Sequence, residues 1–489
     1  HTAVVVKYGP SSSNPTKYTA AGCKVENQTS ITCNSMPGVG AALYWKVTIK
    51  EQDSGPSSAT TKYANPSIDS DGLSGDAMAP SGSDTRGDTS ITISGANFGP
   101  DGNASVVVTY GPDGSLTPYT AKNCVVTGGN HDTITCDTVA GIGKDLFWVA
   151  HIAGQPSVQS DQKSKYFTPI LTSLIGNAFS GQSPTRGGMS ITLVGNYFGP
   201  AGGADVTAYY GPSGAGGAKK YEAVDCRVLA GDGQVHVNIE CQTNIGVGAN
   251  LFWMVSVGDQ ESVASSGNTS YALPEITDLD GPAASAAGST TAGGTIMLLR
   301  GANFGPVGTT VSAEYGPAGT LDKYSVVSTC QVNSHELVEC RTLEGTGSDL
   351  RWTVTAGGQA SETFTDKSMR YADPVVNSVG SYLMNTNGSS KQTLEGNNFG
   401  ATCSGCVNAT YGGASGTEYG PVTCDVTVAH ATLLCNTAPG VGQNHRWKVT
   451  RDLLTSQLSL GSSSYAAPTI TSDGLSGDAM APSGSDTRG

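Results

Sequence analysis

Twelve cysteines carry the most direct chemical signal in this 489-residue chain. Ten fall into five pairs, Cys23/Cys33, Cys124/Cys136, Cys226/Cys241, Cys330/Cys340 and Cys424/Cys435, with ten to fifteen residues from one partner to the next. Cys403 and Cys406 complete the set. The chemistry is oxidation. An even count at a repeated spacing reads as a disulfide framework, and such frameworks persist in an oxidising, extracytoplasmic compartment. The spacing suits two neighbouring strands, or a strand and its loop. Closing a loop of ~15 residues contributes roughly 3 kcal/mol through the entropy of the unfolded chain. For Cys403 and Cys406 two readings stand, a tight local bridge or pairing outside their own repeat.

Five Asn-x-Ser/Thr sequons, at Asn27, Asn103, Asn268, Asn387 and Asn408, are acceptors for N-linked glycans in a secreted chain. Arg86-Gly87-Asp88 spells the tripeptide read by integrin-type adhesion receptors. The next repeat has Thr185-Arg186-Gly187-Gly188 at the equivalent place, so the better reading is a repeat turn before a strand. Asp69, Asp71 and Asp76, and Asp278 with Asp280, put carboxylates in Gly-rich junctions. Hard cations such as Ca2+ want several oxygen ligands, but the favoured reading is a solvated acidic linker with no metal and no other cofactor. Enzyme signatures are missing: there is no His-Glu-x-x-His, no Gly-x-Ser-x-Gly and no Gly-Lys-Ser/Thr phosphate loop. The seven histidines read as scattered, at no common repeat position. A non-enzyme is expected.

The elements that position these residues recur five times. After each close Cys pair come Gly-x-Gly and a Trp: Gly38/Gly40/Trp45, Gly141/Gly143/Trp148, Gly246/Gly248/Trp253, Gly345/Gly347/Trp352 and Gly440/Gly442/Trp447. A full module opens on an alternating strand (residues 89–93 and 190–194), then a Gly-Asn-Phe-Gly turn (95–99, 195–199, 301–305, 396–400). A Val-rich strand comes next, ending in Tyr-Gly-Pro (Tyr411-Gly412-Gly413 in the last module), and each module closes on Tyr-x-x-Pro: Tyr63/Pro66, Tyr166/Pro169, Tyr271/Pro274, Tyr371/Pro374 and Tyr465/Pro468. The repeated Trp reads as a core residue, as large aromatics usually do. Short period-two strands between Gly/Pro/Asn turns predict an all-β sandwich per module. The predicted modules span residues 1–66, 67–168, 169–273, 274–373 and 374–467, with a tail at 468–489. Pro at each boundary fixes φ and predicts short, stiff junctions.

Composition narrows the partners. A net charge of −14 argues against nucleic acid or anionic membrane. Apolar stretches such as 170–175 and 296–299 are far too short to span a bilayer. The opening at His1 lacks the features of a signal peptide, which is either removed or outside this segment. Residues 472–489 repeat residues 70–87 letter for letter, and the first module lacks its opening strand. Two expectations arise: a piece of a longer array, or copies that join head to tail by adding a strand to an unpaired sheet edge.

The ordered string of Gly-x-Asn-Phe-Gly, Tyr-Gly, close Cys pair, Gly-x-Gly and aromatic strand resembles the IPT/TIG family of immunoglobulin-like modules. The resemblance spans four complete modules and most of a fifth. It implies an immunoglobulin-like sandwich that binds or spaces. The Cys spacing departs from the antibody pattern, whose bridge crosses between sheets. The expected function is an extracellular or cell-surface structural protein assembling end to end with copies of itself into a filament or appendage, with other surface or matrix proteins as further partners. The alternative is a monomeric adhesion or receptor ectodomain whose array is a stalk for a binding module elsewhere.

Overall fold

A computed structural model describes residues 4–102, 105–180, 182–202, 205–213, 217–231, 233, 235–472 and 474–476. The sequon at Asn103 and most of the 468–489 tail's repeat of 70–87 lie outside the described residues. The chain is all-β, a tandem series of immunoglobulin-like sandwiches.

The second module shows the plan. Its strands are β1 (Ser67–Ser74), β2 (Ser90–Ala96), β3 (Val106–Gly111), β4 (Tyr119–Thr120), β5 (Lys122–Thr127), β6 (Thr133–Asp137), β7 (Phe147–Ile152) and β8 (Gln155–Pro156). They form two antiparallel sheets, ordered β5-β6-β2-β1 and β4-β3-β7-β8. This is the two-sheet immunoglobulin arrangement. Alternation decides which face of each strand is buried. Ile91 and Ile93 of β2, Ile134 and Cys136 of β6, and Val108 and Tyr110 of β3 all point into one core around Trp148.

The strands predicted at 89–93 and 190–194 are Ser90–Ala96 and Ser190–Asn196. Each is preceded by a further strand that the pattern concealed. β1 and its counterpart Glu275–Asp280 run through stretches that read as acidic linker. A register shift between Ile68 and Leu73 breaks β1's alternation. Bulges of this kind disrupt the ladder while leaving the strand in the sheet.

The chain forms two compact units. One comprises His1–Ser183, Gly187–Asn244 and Asn250–Ser270; the other comprises Pro184–Arg186, Ile245–Ala249 and Tyr271–Gly489. In the first unit, the first module has one four-stranded sheet and a two-stranded pair, Ala21–Asn27 with Ser30–Asn34. Among the described residues it shows neither the opening strand nor a counterpart of β1. Its inner face is therefore open: Val25 is 51% exposed, whereas the corresponding Val126 is 2% exposed. In the second unit, the last module has one continuous seven-stranded sheet, because Cys403–Gly412 and Tyr419–Val428 are long enough to pair with each other and with strands on both sides.

Candidate functional site

The Gly-x-Gly turns are built by tyrosines. In the second module Tyr119 donates to the Ile142 carbonyl at 2.9 Å and accepts from the Ile142 N–H at 3.1 Å. Tyr166 donates to the Val139 carbonyl at 2.7 Å, and the Val139 N–H donates to Tyr110 at 2.9 Å. The Tyr110 and Tyr166 hydroxyls lie 2.8 Å apart. Burial pushes Tyr110 up to about 12 and raises Tyr166 as well, so both stay neutral and able to donate. Tyr110 stacks on Trp148 with ring centroids 4.0 Å apart, and the Trp148 indole N–H donates to Ser164. Gly141 must be glycine: a Cβ there would stand 2.6 Å from the Tyr166 hydroxyl. Equivalent phenol pairs recur as Tyr8/Tyr63, Tyr315/Tyr371 and Tyr411/Tyr465.

This scaffold presents the middle residue of Gly-x-Gly as a knob toward the following module. In the first unit Val39 joins the core cluster of the second module. Ile142 lies against Gly199, where any Cβ would overlap it. In the second unit Val247 sits against Gly305 and Gly357, and Thr346 against Gly400. The last glycine of the Gly-Asn-Phe-Gly turn is thus the socket for the knob. Close approach of this kind is a standard use of glycine.

A glutamine clasps each of the first three joints. Gln155 donates to the Tyr63 carbonyl and to the Asn65 side chain, both at 3.1 Å. Gln260 donates to the Gly143 and Tyr166 carbonyls at 3.2 and 3.1 Å. Within the second unit, Gln359 donates to the Tyr271 carbonyl at 3.0 Å and accepts from the Gly248 N–H at 3.2 Å. The last joint differs, with Leu454 at the glutamine's place and the Thr346 hydroxyl donating to Asp452.

A threonine and a histidine form the third contact. Thr85 meets His236 at 3.0 Å, Thr185 meets His335 at 2.7 Å and Thr291 meets His430 at 2.8 Å, each through hydroxyl and Nδ1. These threonines are 0%, 1% and 1% exposed. The histidines do share a module position, which corrects the sequence reading. His131, His236, His335 and His430 each stand five residues before the second cysteine of their pair. The carbonyl of each accepts from the Phe N–H of its own Gly-Asn-Phe-Gly turn, at 2.9 to 3.2 Å. Loops of different length after the first cysteine hid the register; counting back from the second cysteine reveals it.

Burial and then the Arg86 charge hold His236 below its usual range. The docked state therefore binds this proton more weakly than the undocked one. The contact is at full strength above the ordinary value of about 6.5 and weakens as pH falls through it. An NMR titration is expected to place His236 below 6.5; a midpoint at or above that value would contradict the buried contact.

The structure joins Cys23–Cys33, Cys124–Cys136, Cys226–Cys241, Cys330–Cys340 and Cys424–Cys435, with Cα atoms 3.9 to 4.2 Å apart. Cys124 is on β5 and Cys136 on the adjacent β6, so that bridge lies within one sheet. Cys403 and Cys406 are bridged to each other. Peptide mapping without reduction is expected to recover all six pairs; free thiol at Cys124 would contradict this. Asn27 and Asn387 are exposed, and each Oδ1 accepts from the N–H and hydroxyl of its sequon's third residue, Thr29 or Ser389. Asn408 is exposed on a strand, and Asn268 is half-buried.

Arg86-Gly87-Asp88 is held in the repeat turn. Arg86 pairs with Asp84, Asp88 with Lys122, and the Asp88 N–H donates to the Thr138 carbonyl. The acidic residues are on or beside strands; three of them meet partners there, Asp280 pairing with Arg300, Asp278 with Lys367, and Asp76 accepting from Ser90. Among the described residues no group of three or more His, Cys, Asp or Glu could hold a metal ion. No described helix is long and apolar enough to cross a membrane.

No protein-family model matches the chain, and no curated protein sequence does. Among solved structures, the full extracellular region of plexin A4 aligns over 93% of this chain and 40% of its own, at 13% identity and a TM-score of 0.21. The chicken CNTN1 FN1–FN3 domains align over 60% of this chain and 97% of theirs, at 11% identity and a TM-score of 0.20. The I9–I11 tandem of titin aligns over 61% and 98%, at 11% identity and a TM-score of 0.20. This chain spans 40% to 47% of the two plexin chains it matches. Likenesses this low say nothing of ligand or partner.

Proposed function

We propose that this chain is an extracellular, non-enzymatic structural protein of IPT/TIG-like modules that extend head to tail into a filament or surface appendage. One observation carries the reading: the same joint recurs between successive modules within each unit. The glycine socket and the threonine–histidine bond are at the last three joints, and the glutamine clasp is at the first three. A single catalytic or ligand pocket has no use for such repetition. A heterologous contact that does not close into a ring propagates as a helical filament. Six disulfides support an oxidising compartment. Among the described residues, Ser30–Asn34 of the first module pairs only with Ala21–Asn27, which leaves an edge where a strand can add.

Mass measurement of the purified chain over a range of concentrations tests the proposal. Growth beyond the single-chain mass, blocked by Ile31→Lys on the open edge, is the expected result. A single-chain mass at every concentration would instead favour a monomeric stalk.

A further inference from the structure

The fifth module carries one half of the joint, and among the described residues no module packs on it. The Gly440 N–H donates to the Thr386 carbonyl at 3.0 Å, as Gly141, Gly246 and Gly345 donate to Thr85, Thr185 and Thr291. Thr386 is therefore the fourth member of the threonine series, yet it is exposed. Val441 is the knob of this module's Gly-x-Gly and is 68% exposed, whereas Val39 at the same place is 5% exposed. Tyr419 holds the Val441 carbonyl at 3.0 Å, so the knob is as firmly presented as Ile142. Between them lies a hollow of about 650 Å³ lined by Thr386, Val441, Gly442, Tyr465 and Pro468.

The sequence says what fits. Cys33-Asn34 leads through Pro37-Gly38-Val39-Gly40 to Trp45-Lys46-Val47-Thr48, and Cys435-Asn436 leads through Pro439-Gly440-Val441-Gly442 to Trp447-Lys448-Val449-Thr450. No other module has proline before its Gly-x-Gly. The same eighteen letters, 70–87 and 472–489, come after both modules. The first module's face is occupied by the second module, through the packing of Val39 and the two bonds of Gln155.

We propose that Thr386, Val441 and Tyr465 form a docking face for a module of the second module's kind. That module presents glycine at the place of Gly99 to the knob, histidine at the place of His131 to the Thr386 hydroxyl, and glutamine at the place of Gln155 to the Tyr465 carbonyl. This deepens the head-to-tail reading and rests on it by naming the surface that continues the array. It is an extension of an interface the chain already uses, which is why the occupant can be specified.

The test uses the full chain with Val441→Cys, whose thiol is then alone because every native cysteine is bridged. It is compared with the same chain extended after Gly489 by a copy of residues 88–168. Maleimide labelling is expected to be fast in the 489-residue chain. In the extended chain it should slow by about tenfold or more, since reaction then waits on local opening. Val39→Cys should be protected in both, and alanine at the appended copy of Gln155 should restore labelling. Equal labelling in an extended chain whose appended Cys pair is oxidised would overturn the proposal. Protection that rises with concentration in the unextended chain would overturn the named occupant while leaving head-to-tail association standing, because the face is then filled by another copy's first module. The mass measurement is independent of this labelling, so the head-to-tail reading and the named face can fail separately.

Discussion

Replacing Trp148 with alanine is expected to destabilise the second module by about 3–5 kcal/mol, the usual loss for a fully buried aromatic. Trp148 is 0% exposed, stacks on Tyr110 and anchors its indole N–H on Ser164. The loss should spread to the turn, because Tyr110 accepts from the Val139 N–H and meets Tyr166, which holds the Val139 carbonyl. Hydrogen exchange should rise in β3, β7 and residues 139–143 together, and thermal unfolding should show the second module melting first. Trp45→Ala serves as the comparison, because Trp45 is only half-buried in the opened first module and should lose less. An equal loss at both positions would mean that burial is not what the Trp contributes.

The second large effect belongs to the joint. Gln260→Ala removes the side-chain donor from both the Gly143 and Tyr166 carbonyls; Gly143 keeps the Tyr166 N–H, and the Tyr166 carbonyl loses its donor across the joint. A buried acceptor left without a partner costs about 1–3 kcal/mol. Combined with Thr85→Val, which removes the hydroxyl from His236, the substitution should loosen this joint while both sandwiches stay folded. The expected signature is selective: faster exchange and proteolysis near residues 142–143 and 258–260, with Trp fluorescence and disulfide pairing unchanged. Loss of the whole fold would mean that the joint is part of each module's core rather than a contact between modules.

Much of this was legible in the letters. The Cys pairs, the Gly-x-Gly turns and the Tyr-x-x-Pro ends each mark a place where few residues are tolerated. Gly141 has no room for a Cβ, and Tyr166 and Tyr119 hold Val139 and Ile142 on either side of it. The strand Ser67–Ser74 was hidden because only Ile68 and Leu73 give it apolar weight and a bulge separates them. The acidic residues along it then looked like a linker. The joint was harder still. Its glutamine and threonine look like ordinary surface polar residues, and only docking makes Gln155 and Thr85 buried. The histidine register was present in the sequence, but it is counted from the second cysteine, past a loop of variable length. Gly199 and Gly305 were visible as turn glycines; that they are also sockets depends on a contact no local pattern encodes.

The most direct measurement of the head-to-tail claim is electron microscopy of the purified, glycosylated chain at high concentration. Filaments are expected in which beads of one module repeat without a break in spacing where one chain meets the next. Separate particles of one chain's length, with no end-to-end contact at any concentration, would contradict it.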